Sequence, residues 1–124
     1  MAEKSVAEKA RVKSGTTFAV LNPEPGIMES LRLPESVRFV EPPVAQIVCV
    51  FVRTRAELDA ELPAAESALP KGASLWVFFR KGSKAAGRDV NRDDVWGVAE
   101  RLDLRPLGLI SVDASWSVFR FRRA

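Results

Sequence analysis

The sequence predicts an α/β fold: a three-layer, mostly parallel sheet that ends in an antiparallel hairpin. Three observations carry this. Two runs, Ala45 to Val52 and Ala73 to Phe79, are apolar with little alternation, the mark of strands buried on both faces. Stretches with helical spacing follow each of them, which gives parallel neighbours the crossovers they require. The last two strand-like runs, Pro106 to Asp113 and Trp116 to Arg122, meet at Asp113-Ala114-Ser115. So tight a turn forces them antiparallel.

Residues 1–14 read as a short N-terminal helix, over 3–12, or as a flexible lead. Thr16 to Leu21 is a β-rich run. Asn22-Pro23-Glu24-Pro25-Gly26 stops it with two prolines and a glycine, a stiff turn. Ile27, Met28 and Leu31 then recur at helical spacing until Pro34. Val37 to Val40 is a short strand, and Pro42-Pro43 predicts an extended connection to the first buried strand. The helix after that strand opens on Thr54-Arg55-Ala56-Glu57, a capping box with Thr54 as N-cap and Glu57 reaching back. Leu58, Leu62, Ala65 and Leu69 form its apolar stripe, and Pro63 predicts a kink or break. After the second buried strand comes a polar loop, Arg80 to Val90. Asn91 then caps a third helix whose first turn holds Asp93 and Asp94. The order β-α-β-β-α-β-α-β-β gives one Rossmann-like domain over 1–124, its last strand running against the others.

Composition excludes several chemistries. The 124 residues contain no histidine and one cysteine, Cys49. No Ser-His-Asp or Cys-His nucleophile system can be assembled, no intrachain disulfide can form, and no metal is expected. Cys49 lies inside Ile47-Val48-Cys49-Val50-Phe51 and reads as a small buried hydrophobe. The longest apolar-rich run, Val44 to Val52, is far short of the roughly 20 residues a membrane helix needs. A cytoplasmic location and no membrane partner are expected.

The net charge of +3 is small but unevenly placed. Residues 1–69 carry 8 basic and 10 acidic side chains, and residues 70–124 carry 11 basic and 6 acidic. Open α/β sheets bind ligands beyond the carboxyl ends of their parallel strands. Those ends deliver Asn22, Glu24 and Gly26 after the first strand and Glu41 after the second. The third delivers Arg53, and the fourth Arg80, Lys81, Ser83 and Lys84. This edge collects cations beside a helix start, an arrangement that suits phosphate or carboxylate. Glu41 also stands roughly where dinucleotide folds place a ribose-binding acid, a position that solvation alone explains as well. No G-x-G-x-x-G and no G-x-x-x-x-G-K-[ST] occurs, so no cofactor is expected. Strand alternation puts Trp116, Val118, Arg120 and Arg122 on one face and Phe119 and Phe121 on the other. An exposed aromatic-basic face would suit single-stranded nucleic acid, but packing of the rings in the core is the simpler reading.

Several segments together resemble a small bacterial family known only as a domain of unknown function. They are Gly15 to Gly26, Phe51 to Leu58, Leu75-Trp76-Val77 with Arg80 to Ser83, Asp89 to Arg92, and Val112 to Ser117. The resemblance covers nearly the whole chain and implies no activity. The Asn22 to Gly26 loop is one residue longer than that family's usual form. The strand pattern also resembles the second half of the Rossmann-like methyltransferase sheet. The glycine-rich cofactor loop of that fold is missing, which argues against bound S-adenosylmethionine.

The leading expectation is a binding module for an anionic small molecule or a protein partner at the strand-end edge. One alternative is a degenerate methyltransferase-like enzyme using Asn22, Glu24 and Asp113. Another is a nucleic-acid accessory protein using Arg80 to Arg88 and Arg120, Arg122 and Arg123, a reading that the small net charge disfavours.

Overall fold

The computed structural model describes residues 4–82, 87 and 89–124. The chain runs α1 (Val6–Lys9), β1 (Thr17–Leu21), α2 (Ile27–Ser30), β2 (Arg38–Phe39), β3 (Ile47–Val52), α3 (Arg55–Ser67), β4 (Ser74–Arg80), α4 (Arg92–Arg101), β5 (Leu104–Ser111) and β6 (Trp116–Arg123). The six strands form one sheet in the order β2-β1-β3-β4-β6-β5. β2, β1, β3 and β4 pair in parallel, and β6 is antiparallel to both of its neighbours. The α/β class, the mostly parallel sheet and the terminal antiparallel hairpin follow the expectation.

β3 and β4 have almost no polar side chain to turn toward water, so both faces of the sheet must be covered. On one face Val48, Val50, Leu75 and Val77 pack under Leu58, Leu62 and Ala65 of α3 and Val95, Val98 and Ala99 of α4. On the other, Cys49, Phe51, Trp76 and Phe78 pack under Val6 of α1 and Ile27 and Leu31 of the α2 segment. Phe51 and Phe78 stack there at 4.4 Å between ring centroids. Cys49 is fully buried, and desolvation pushes its thiol far up from its ordinary range, so it serves as core.

β6 inserts between β4 and β5. Val118 and Phe121 are fully buried on opposite faces, so this strand needs cover on both sides. β5 contains Pro106, which cannot donate to a second neighbour, and a bulge between Pro106 and Gly108, so it takes the edge.

Three local expectations are corrected. Pro42–Val44 forms a 3-10 turn, with Pro42 at its first position, where the missing N–H is not needed. β5 starts two residues earlier than its apolar run suggests, because Leu104 reaches the α3–α4 core. α3 continues through Pro63 without ending. The proline removes the donor to the Asp59 carbonyl, but Asp59 and Ala60 are exposed, so water can take that bond. Leu58, Leu62 and Ala65 on the opposite stripe hold the helix onto the sheet.

Pro63→Ala restores the missing backbone bond and is expected to stabilise the fold by about 1–3 kcal/mol. Urea denaturation should show a higher midpoint with an unchanged slope. An unchanged or lower midpoint would show that the proline fits α3 without cost.

Candidate functional site

From β1 the chain passes to β2 on one side, then returns past β1 to β3 on the other. The change of direction puts the switch point between the carboxyl ends of β1 and β3, where such sheets open a crevice. Asn22 and Arg53 are the first residues beyond those two ends.

Asn22 adopts φ +52°, a left-handed conformation that asparagine tolerates better than most side chains. Its Nδ2 donates to the Phe51 carbonyl at 2.9 Å and to Glu57 Oε2 at 2.6 Å. Arg53 Nη2 donates to Glu57 Oε2 at 2.9 Å, and the Arg53 backbone N–H donates to Glu57 Oε1 at 2.8 Å. Arg53 Nη1 donates to Glu24 Oε1 at 2.9 Å and leans on the carbonyls of Asn22 and Pro23. The crevice is therefore bridged by the chain's own side chains, one guanidinium between two carboxylates. Burial alone would raise the Glu57 pKa, but the bonds from Asn22 and Arg53 outweigh it and hold the carboxyl below its usual range. The Glu57 carboxylate, followed by Glu24, makes the Arg53 guanidinium harder to deprotonate.

Glu57 is the site residue that the sequence reading missed. The capping box is half formed. The Thr54 hydroxyl accepts from the Glu57 N–H at 3.1 Å, but the Glu57 carboxylate turns to Arg53 and Asn22. The four-residue spacing between Arg53 and Glu57 was the available signal.

The other candidates lie apart. Gly26 (φ +84°) starts α2, and a Cβ there would meet nothing within 4 Å, so conformation rather than crowding favours glycine. Glu41 is exposed and precedes the 3-10 turn. Arg80 is exposed at the end of β4. The Lys81 N–H donates to the Ser115 carbonyl at 2.8 Å, and its Nζ donates to Ser111 Oγ. Ser83 and Lys84 lie outside the described residues. Thus Asn22, Glu24 and Arg53 come together with Glu57, while Lys81 turns toward the β5–β6 hairpin.

There Lys81 lines an open basin of about 680 Å³ above the ends of β4 and β5, with Lys4, Lys9, Arg32, Ser111 and Asp113 around it. Two of its carboxylates are engaged locally. Glu8 accepts from the Ser5 N–H at 2.9 Å, and Asp113 Oδ1 accepts from the N–H groups of Ser115 and Trp116 at 2.7 and 2.8 Å. The Ser5 bonds first, then Lys4 and Arg32, hold the Glu8 carboxyl below its ordinary range. Four cationic residues thus line the cavity against two carboxylates, a net positive lining.

The Glu57 pairing fixes an acid limb. A carboxyl with a lowered folded pKa contributes stability that is present above its ordinary pKa of 4.5 and lost as pH falls below it. Glu57→Ala is expected to cost about 2 kcal/mol at neutral pH. The difference from the parent should shrink as the pH is lowered toward 3. Thermal melts across that range test this, and a difference independent of pH would contradict it.

No protein-family model matches the chain, and no curated protein matches it in sequence. Solved structures match in fold. An O-methyltransferase family 2 protein from Planctomyces limnophilus, in complex with apigenin, superposes with a TM-score of 0.66 at 12% identity. The match covers 97% of this chain and 56% of that one, so the chain spans little more than half of that enzyme. The fibrillarin/Nop5p complex matches with a TM-score of 0.56 at 8% identity over 91% of this chain and 75% of that one. LepI in complex with SAM matches with a TM-score of 0.54 at 12% identity over 96% of this chain and 39% of that one. The likeness is one of architecture: the chain has the Rossmann-like sheet found in methyltransferases, antiparallel strand included.

Proposed function

We propose that the protein is a binding module for an anionic small molecule, held in the basin between α1 and the β5–β6 hairpin. The observation that carries this reading is the convergence of Lys4, Lys9, Arg32 and Lys81 on one cavity in which Glu8 and Asp113 are bound to backbone donors. The Ser111 hydroxyl beside Lys81 supplies a neutral polar group. An anion there meets a lining with four cationic residues against two carboxylates, a net positive field. This places the ligand at the same strand-end edge that the sequence favours, but toward β5 and away from the switch point.

The sheet's likeness to methyltransferases favours a second reading, methyl transfer from S-adenosylmethionine. The crevice as built does not fit that group. The bond from Asn22 to Glu57 and the pairs from Arg53 to Glu24 and Glu57 span the place where a cofactor would lie. No methyl-transfer step follows from these residues.

Thermal-shift and calorimetric titration with citrate and ATP test the module reading. Citrate or ATP is expected to raise the melting temperature, since a ligand at about 100 times its Kd adds roughly 2.7 kcal/mol. The effect should weaken with added salt, and the citrate effect should vanish in Arg32→Ala/Lys81→Ala. S-adenosylmethionine should leave the melting temperature unchanged. The proposal fails if neither anion binds, or if the double variant binds them as the parent does.

A further inference from the structure

A second concentration of charge lies on the hairpin, roughly 20 Å along β6 from the turn that borders the basin. Arg105 opposes Arg122 in the β5–β6 ladder, and Gly108 opposes Arg120. Opposed residues share a face, and so do alternate residues of one strand. Arg105, Arg120 and Arg122 therefore emerge on one side of the sheet, the side away from Phe119 and Phe121. Like charges placed directly opposite each other destabilise a ladder. Among the described residues, none of the three has an ion pair or a side-chain hydrogen bond. Arg123 shows the contrast. Its guanidinium donates to the carbonyls of Leu69 and Glu66 at the end of α3 and pairs with the Glu66 carboxylate at 3.5 Å.

Arg120 is the centre of the patch. It sits on an interior strand, its Nε is shut off from water without a partner, and desolvation lowers its pKa. The guanidinium lies over Gly108. A Cβ at 108 would come within 3.2 Å of Arg120 Nη2, and φ +149° at that residue also favours glycine. The strand thus keeps room for a cation that no described group neutralises. A guanidinium already stripped of part of its water loses little more on meeting an oxyanion, and its fork matches phosphate. Trp76, opposite Arg120 on β4, is 2% exposed and Trp116 is 6% exposed, so this face offers neither ring for stacking bases. That favours a small ligand over a nucleic-acid strand.

We propose that Arg105, Arg120 and Arg122 form a binding site for the phosphate group of a small soluble ligand, separate from the basin. The test uses the Arg32→Ala/Lys81→Ala chain, so that the basin is already disabled and its failure cannot be mistaken for failure of this site. Pyrophosphate is titrated by calorimetry and by following the arginine Nε–Hε signals in proton–nitrogen spectra. One site is expected, with the Arg120 signal moving on saturation. Adding Arg105→Gln/Arg122→Gln should weaken binding about tenfold or more. It should also leave the ligand-free melting temperature equal or higher, because a like-charge pair is relieved. Arg120→Met should abolish the pyrophosphate response. Absence of pyrophosphate binding, or equal binding by parent and variants, would overturn the proposal. So would tighter binding of a short oligothymidylate than of pyrophosphate, because it would make the ligand a nucleic acid.

Discussion

The central strands are apolar on both faces, and that constraint organises the rest of the molecule. β3 reads Ile-Val-Cys-Val-Phe-Val and is buried almost throughout. Either face left open would expose a continuous apolar surface, so the chain must supply two covering layers. It does so unequally. α3 and α4 are regular helices of 13 and 10 residues on one face. The other face is covered by α1 and α2, single turns of four residues each, and the segments around them. Large rings compensate for the thin cover. Phe18, Phe51, Trp76, Phe78 and Trp116 fill that side and meet edge to face or stacked.

Thin cover also decides where polar groups are available. The backbone bond from the Ala7 N–H to the Leu31 carbonyl ties α1 to the end of the α2 segment. That bond brings Lys4 and Lys9 beside Arg32, whose φ of +55° turns the chain away from the core. The basin is the gap left between this pair of short turns and the β5–β6 hairpin. The arginine patch also lies on the thinly covered face. On the opposite face, the carbonyls at the end of α3 are near enough to take the guanidinium of Arg123.

What was legible in the sequence was whatever apolar pattern and turn chemistry dictate. β3 and β4 follow from unbroken apolar runs, the hairpin from Asp113 to Ser115, and α4 from Asn91 with Asp94, whose capping box is complete. The insertion of β6 inside β5 was not read from the sequence, because Phe119 and Phe121 demand cover on one face only and the burial of Val118 on the other emerges with the packed sheet. Pro63 was misleading because its local penalty is outweighed by the Leu58, Leu62 and Ala65 stripe. The site was only half legible. Asn22, Glu24 and Arg53 are neighbours because β1 and β3 are neighbours, which strand-end reasoning supplies. Glu57 looked like a cap, since local spacing cannot tell whether a carboxylate turns to its own helix or to a guanidinium across the crevice. Lys4, Lys9 and Arg32 were invisible as a group, because only tertiary docking of α1 brings them to Lys81.

The switch point explains why surplus charge is presented elsewhere. A crevice holding a single guanidinium against Glu24 and Glu57 carries one excess negative charge, and a further anion would have to break a charge-assisted pair to enter. The network also links the end of β1 to the start of α3, so opening it would loosen the first turn of a helix that covers half of the main core. Closure there is thus a property of the scaffold. Residues 70–124 hold the excess of basic side chains, and the hairpin they form has two ends. At one end Lys81 and Ser111 meet the cations carried in by α1 and Arg32. At the other, Arg105, Arg120 and Arg122 share one face, and none of them has an ion pair among the described residues. Arrangements of like charge persist in a marginally stable domain only where their cost is small or is offset by something that binds. For Arg120, with a buried donor left without an acceptor, the cost is not small, and an oxyanion on its outer guanidinium nitrogens would offset part of it through charge.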